Sequence, residues 1–461
     1  MTLDSYIAGL KGRRIAVLGL GVSNMPLLEK LLAAGCDVTA RDKRDEETFG
    51  AEAAERLRAA GCDLRLGPDY LEELDADVIF RTPGMHPFTP QLAEAKGRGA
   101  VLTSEMEAFF AVCPCPVIAV TGSDGKTTTT TIISELLKAE GYTVHLGGNI
   151  GTPLLTKADD MKPEDVVVLE LSSFQLHSMY CRPHVAVITN VSPNHLDIHP
   201  SYEDYQAAKK QIFLNQGEDD VLVVNADNDI TRAMADEAKG ERRFFSRRER
   251  VENGCFFADD AVWRAENGAV TRLLGVEDIL LPGMHNVENY MAAFAATRGL
   301  VSDETCRKVA GSFRGVAHRL EMIRTLRGVT YCNDSIASSP TRTIAGLHAL
   351  RLKPILIAGG YDKHIPFDGL GTEICRCVKE LFLTGFTADK IAAAVTASPE
   401  YDPERLKIHI IDDFREAVLS ASAAAEEGDL VMLSPACASF DKFKNFEERG
   451  NTFRRIVEEL E

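Results

Sequence analysis

The stretch VTGSDGKTTTTT, Val120–Thr131, follows directly on the apolar residues PVIA and runs into the amphipathic segment TIISELLKAEG. A strand, a glycine turn and a helix in that order aim backbone N–H groups and the positive end of a helix dipole at one point, which is a cradle for an anion. Gly122 and Gly125 permit the tight turn, Lys126 can reach β- and γ-phosphates, and the Thr127 hydroxyl suits a Mg²⁺ ion. The common phosphate-loop pattern has a glycine six residues before the lysine, where this chain has Val120, so the loop is a shortened relative of that pattern. A strand–loop–helix unit of this kind predicts an α/β fold built on parallel strands.

Working outward, the same alternation recurs. Upstream lie RRIAVLGLG, DVTARD and DADVIFRTPG as strands, with LLEKLLAAG as a helix between the first two. The pattern restarts at CPVIAVTG and continues through VVVLELSS, VAVITNV and DVLVVNAD. After the helical HNVENYMAAFAATRGL comes a third set: GVTYCND, KPILIAGG, VKELFLTG, LKIHIID and GDLVMLSP. A chain of 461 residues fits about three domains of roughly 150 residues each. The expected organisation is three consecutive α/β domains over residues 1–104, 105–315 and 316–461. Their sites are expected at the C-terminal ends of strands and in clefts between domains.

Composition narrows the function classes. Hydrophobic residues make up 45% and charged residues 26%, an ordinary globular balance. A formal net charge of −18 opposes a broad nucleic-acid or anionic-membrane surface, since both need a basic face. Anionic ligands would have to be gripped by local Lys and Arg. The eleven cysteines include close pairs only at Cys113/Cys115 and Cys375/Cys377 and no CxxC, so reduced thiols in a cytoplasmic protein are expected rather than a zinc or disulfide framework. The opening MTLDSYIAGLKGRR lacks the order of a signal peptide, and no apolar run is long enough to insert in a membrane. Oligomeric state is not legible.

Three further places carry chemistry. Glu170 ends the apolar strand VVVLELSSF, where a buried carboxylate needs a partner such as a nucleotide-bound Mg²⁺. His195 and Lys209 lie in NVSPNHLDIHPSYEDYQAAKKQIF, and chemistry alone singles out neither. GLGVSN opens like a dinucleotide fingerprint, but Asn24 stands at its third glycine; Asp42 falls about where a ribose-binding acid would be. Nothing downstream offers hydride chemistry.

TGSDGKTT, ELSSFQL, NVSPNHLDIHPSYEDYQAAK, GMHNVENYMAA, GVAHRLE and SPACASFDKFKNFEERG occur in one order along the chain. Together they resemble the Mur ligase family of ATP-dependent amide ligases, and the last of them is similar to the segment typical of its D-glutamate-adding branch. The resemblance implies a Rossmann-like UDP-binding domain, a P-loop ATPase-type central domain and a Rossmann-like C-terminal domain. It implies an enzyme of peptidoglycan synthesis that joins D-glutamate to UDP-N-acetylmuramoyl-L-alanine through an acyl phosphate, with ATP and Mg²⁺. Gly122, Ser123, Asp124, Gly125, Lys126, Thr127 and Thr128 would hold the phosphates, and Asn289, Arg319 and Asp334 would contact ATP. Thr127 and Glu170 would hold one Mg²⁺. His195 and Lys209 would hold a second, Lys209 as a carbamate. Ser23, Asp42, Arg44, Thr82 and Gly84 would contact the uridine diphosphate, and Asn149 and Ser172 would face the substrate. Ser338, Lys363, Ser439 and Phe446 would surround D-glutamate. Ile336 departs from the family's DSKAT, since this chain reads DSIAS at Asp334–Ser338, which puts the weight on Lys363. Another Mur-type ligase, a folylpolyglutamate synthase and a P-loop regulator are the alternatives. Of the threonine run, only Thr127 has a clear chemical task, and the later threonines are expected to continue the helix.

Overall fold

Short apolar strands separated by amphipathic helices give the chain three sheets, carried in two compact units, 1–312 and 313–461. The computed structural model describes all residues except 87, 195–197, 282, 351 and 363–364, and only the backbone of 368. Two expected site residues, His195 and Lys363, therefore lie outside the described residues.

The first sheet has five parallel strands in the order Asp63–Leu66, Asp37–Asp42, Arg14–Leu18, Val78–Arg81 and Val101–Thr103. Strand order reverses beside Arg14–Leu18, so the turns after Leu18 and after Arg81 emerge side by side at the C-terminal edge. They meet through Gly19 (φ 79°), where a Cβ would stand 2.6 Å from Thr82 Cγ2.

The second sheet has nine strands. Val144–Gly148, Val166–Glu170, Val117–Thr121, Val185–Ile188, Val221–Asn225, Glu241–Ser246 and Gly254–Ala258 run parallel, and Ala261–Glu266 and Ala269–Gly275 extend it antiparallel. The strands flanking the phosphate loop are buried at every position, as expected of a sheet covered on both faces. The antiparallel extension departs from the purely alternating pattern read from the sequence. Its two hairpins turn on Asp259–Asp260 (φ 50° and 51°) and Asn267–Gly268 (φ 50° and 81°), the left-handed pairs that two-residue hairpins require. One apolar core runs through both sheets of this unit, taking in Val17, Phe80, Phe109, Val117, Leu169 and Leu222.

In the second unit six strands lie in the order Glu321–Leu326, Val329–Asn333, Leu430–Leu433, Ile355–Ala358, Glu380–Leu383 and Lys407–Ile410. All pairs are parallel except the first, closed by a hairpin at Arg327–Gly328 (φ 51° and 79°), an edge strand the alternation had not indicated. Apolar cores cover both faces, one around Leu356, Leu381 and Met432, the other around Ile357, Phe382 and Val431. All eleven cysteines are free thiols, and among the described residues no helix is long and apolar enough to cross a membrane.

Candidate active site

The phosphate loop is wrapped by the chain that leaves the neighbouring strand. From Val117–Thr121 the backbone turns at Gly122 (φ 149°), where a Cβ would lie 1.8 Å from Thr189 Oγ1. It enters the helix Lys126–Glu140 at Gly125 (φ 75°), where a Cβ would lie 2.4 Å from Asn289 Oδ1. Ser123 N–H donates to Asn190 O (2.9 Å) and Asp124 N–H to Asn190 Oδ1 (2.9 Å). Ser123 Oγ accepts from Ser192 N–H (2.9 Å) and lies 3.0 Å from Tyr205 Oη. Among the described residues no side chain caps the helix, and its N-terminal end faces the turn as an anion site requires. Lys126 Nζ folds back to donate to Gly122 O (2.9 Å) and Ser123 O (2.8 Å).

Thr127 is buried and Thr128 half-buried. Thr130 and Thr131 donate to Lys126 O and Thr127 O (2.8 Å each), one turn back, so these two do continue the helix. Thr129 does more: its hydroxyl donates to Asn289 Oδ1 (3.2 Å), and Asn289 Nδ2 donates to Asn286 Oδ1 (3.1 Å). Asn289, on the helix Met284–Ala296, thus touches both the loop glycine and the loop helix.

Glu170 is 1% exposed at its strand end, opposite Val120. Its Oε1 accepts from Asn149 Nδ2 (2.7 Å), whereas the buried Oε2 has no hydrogen-bond partner among the described residues. An orphaned buried carboxylate oxygen is costly, and a divalent cation satisfies it. Lys209, on the helix Tyr202–Leu214, is also 1% exposed; its Nζ donates to Gly122 O (2.6 Å) and lies 4.5 Å over the Tyr205 ring. Burial, reinforced by Lys126 and opposed by Asp124 and Glu170, holds this amine well below the usual lysine range. Two lysines therefore converge on Gly122 O. Ser172 caps the helix Ser173–Leu176, paired reciprocally with Gln175.

At the first sheet, Asp42 organises the GLGVSN turn. Its oxygens accept from Leu20 N–H (2.7 Å), Arg44 N–H (3.0 Å), Arg44 Nε (2.9 Å) and Arg44 Nη2 (2.8 Å). Burial alone would raise this carboxyl, but Arg44 and the backbone donors outweigh it and hold it below the usual range. Asn24, in place of the third glycine, donates to Leu18 O (3.1 Å) and Gly19 O (3.0 Å). Ser23 is half-exposed, and Thr82 and the exposed Gly84 lie in the adjoining turn. The buried Arg81, missed in the sequence because a strand-end arginine is unremarkable there, donates from Nη1 to Met85 O (2.9 Å) and from Nη2 to Ser178 Oγ (2.7 Å) and Phe174 O (3.2 Å). It stitches the TPG turn to ELSSFQL.

In the second unit, Asp334 is buried, with Oδ2 accepting from Ser434 Oγ (2.8 Å) and Oδ1 from Leu320 N–H (3.2 Å); burial raises its pKa to about 6. Arg319 sits between His318 (φ 63°) and Leu320 (φ 42°), two left-handed non-glycine residues of the kind found where a loop is held for function. Ser338 is half-buried and Ser439 is 2% exposed. Phe446 opens the helix Phe446–Glu458, and its carbonyl accepts from Ser335 Oγ (2.8 Å). Arg449, also unforeseen, is the buried clamp that holds these loops together. It donates to Ser335 Oγ (3.1 Å), Ser335 O (2.9 Å), Cys437 O (3.1 Å) and Ala438 O (3.0 Å). Only its place in NFEERG hinted at a role, because composition cannot separate a buried arginine from a solvated one.

Family models for the Mur ligase middle domain and for the Mur ligase glutamate ligase domain match residues 120–297 and 318–437. The UDP-N-acetylmuramoylalanine–D-glutamate ligase of Ruminiclostridium cellulolyticum is 50% identical over 461 residues, 99% of each chain. The protein of the same name from Acetivibrio thermocellus is 50% identical over 462 residues, covering 100% of this chain and 99% of its own. Among solved structures, the UDP-N-acetylmuramate–alanine ligase of Thermotoga maritima shares the fold, with a TM-score of 0.53 at 18% identity over 97% of this chain and 98% of that one.

Proposed function

The chain belongs to the Mur ligase family, and on that premise we propose that it is the ATP-dependent ligase that adds D-glutamate to UDP-N-acetylmuramoyl-L-alanine in peptidoglycan synthesis. The observation that carries the reading is the meeting of the phosphate loop with Lys209 at Gly122 O, together with the buried Glu170 oxygen that has no partner among the described residues. A free carboxylate is a poor acyl donor. Transfer of the γ-phosphoryl group of ATP to the substrate carboxylate gives an acyl phosphate and ADP. The amine of D-glutamate then attacks the acyl carbon, and the tetrahedral intermediate collapses to the amide and inorganic phosphate as the amine loses its proton.

The chain's own groups fit this sequence. The loop N–H groups and uncapped helix hold the phosphates, and Lys126 turns from its loop carbonyls to the β- and γ-oxygens. Mg²⁺ bound with the nucleotide supplies positive charge that offsets the crowded oxygens. Thr127 and Glu170 are the residues that would hold one ion, and His195 with Lys209 a second. Lys209 suits that task as a carbamate, because an ammonium repels a cation whereas a carbamate offers it oxygens; the depressed pKa leaves the neutral amine that CO₂ needs. Asn289, Arg319 and Asp334 would contact the nucleoside side of ATP. We further assign the uridine diphosphate to 1–104 through Ser23, Arg44, Thr82 and Gly84, with Asp42 shaping the turn. Asn149 and Ser172 would face the acyl end within 105–315. D-glutamate falls to 316–461, with Lys363, Ser338, Ser439 and Phe446.

The test is phosphate release from ATP and Mg²⁺ with UDP-N-acetylmuramoyl-L-alanine, with and without D-glutamate. Release that depends on both substrates is expected. Release without D-glutamate, or equal release with L-glutamate, refutes the assignment.

A further inference from the structure

A second cluster of ligating side chains lies where the turn after Arg81 meets the helix Tyr202–Leu214, and the ligase chemistry uses none of it. His177 Nε2 lies 2.9 and 3.0 Å from the two oxygens of Asp204, and His199 Nδ1 lies 2.7 Å from Asp204 Oδ2. The three ligand atoms fall within 4.8 Å of one another. The imidazoles are held from behind: His199 stacks between Phe174 (5.4 Å, 12°) and His177 (5.7 Å, 29°), and its Nε2 is 3.0 Å from Ser173 Oγ. A cavity of about 50 Å³ opens beside them, lined by Met85, His86, Phe174, His177 and His199. His86 adds an independent sign. Its Nδ1 accepts from Phe88 N–H (3.2 Å), so its proton sits on Nε2, and that buried N–H has no partner among the described residues.

We propose that His177, His199 and Asp204 bind a divalent transition metal of the Zn²⁺ class, with a solvent molecule as fourth ligand in the cavity, hydrogen-bonded by His86 Nε2–H. Two imidazoles and a carboxylate with one open position suit Zn²⁺ better than Mg²⁺, whose octahedral shell is mostly oxygen and accepts at most an occasional imidazole. Bonds of about 2.0–2.1 Å at tetrahedral angles hold ligand atoms roughly 3.3 Å apart, so the contacts to Asp204, now 2.7–3.0 Å, open by about 0.3–0.6 Å. Each imidazole gives its lone pair on the Asp204 side and keeps its proton on the far nitrogen. For His199 that proton is donated to Ser173 Oγ, the outer hydrogen bond that orients metal-bound histidines. The bound ion ties His177 and His199 to the helix that carries Lys209, and its solvent ligand reaches the turn at His86.

The test uses the full chain, stripped by chelator and free of nucleotide, titrated with Zn²⁺ against a micromolar chromophoric chelator. One equivalent that outcompetes the chelator is expected, with affinity lowered at least ~100-fold in Asp204→Asn and His177→Gln. Co²⁺ in its place should give visible bands of a four-coordinate site without thiolate charge transfer, which separates it from the Cys113/Cys115 pair. Metal-free melting of both variants shows that each folds, and the folded one decides if the other fails. Failure to compete, binding unchanged in a folded variant, or a thiolate band overturns the proposal.

Discussion

Gly125 offers the most direct test of how the phosphate loop is built. Alanine there would have to hold φ near 75°, a left-handed conformation that costs a non-glycine residue about 1–2 kcal/mol. Its Cβ would also stand 2.4 Å from Asn289 Oδ1, so Asn289 must move by about an ångström and give up the Thr129 bond, a buried loss of about 1–3 kcal/mol. Gly125→Ala should therefore destabilise the first unit by roughly 2–5 kcal/mol. Asn289→Ala removes the obstacle, so in that background Gly125→Ala should cost only the backbone part, about 1–2 kcal/mol. The double-mutant cycle isolates the contact as a coupling of about 1–3 kcal/mol. Trp263, the only tryptophan, lies in the same nine-stranded sheet as Val117–Thr121, so urea unfolding followed by its fluorescence reports on this unit. Costs that add to within about 0.5 kcal/mol would refute the contact between Gly125 and Asn289.

Lys209→Met keeps a buried unbranched stem but removes the amine on Gly122 O, and substrate-dependent phosphate release should fall by ~100-fold or more. With ¹³C-bicarbonate, a carbamate resonance should appear in the wild type and vanish in this variant; an unchanged rate, or a resonance that survives the substitution, counts against the assigned role. Asp334, with its pKa raised by burial to about 6 from 3.8, binds its proton more tightly folded than unfolded. Stability contributed by that proton is full below the unfolded value and lost as pH rises through about 6, a fall of about 3 kcal/mol for two units. Urea titrations followed by near-ultraviolet circular dichroism should show this fall between about pH 4 and 6 in the wild type relative to Asp334→Asn. Identical profiles would show that Asp334 does not titrate as a buried acid.

The sheets were legible because parallel strands buried on both faces read as unbroken apolar runs, and VIAVT, VVVLE and VAVI are such runs. The antiparallel edges were not read, although Asn267–Gly268 is a strong local hairpin signal. The strand AVTRLLG beside it is exposed over its first four residues and has no such run to announce it. Edge strands fall below a search tuned to buried ones.

The site divides along a different line. Gly122, Gly125 and Lys126 could be picked out because their chemistry is local: a turn, a dipole and a cation within five residues. Lys209 could not, because a lysine in an amphipathic helix reads as solvated. What changes its meaning is burial to 1% and a 2.6 Å bond to a loop carbonyl 87 residues earlier in the chain. Thr129 shows the same limit from the other side, since the run TTTTT treats five hydroxyls alike and only the packing of Met284–Ala296 against the loop gives one of them a partner in Asn289. His177, His199 and Asp204 extend the argument: nothing in SSFQLH, DIHP or YEDY marks a ligand set, and the fold brings them together by setting one short helix against the start of another. Residues that act through their neighbours in sequence can be read from the chain, and those that act through neighbours in space need the fold.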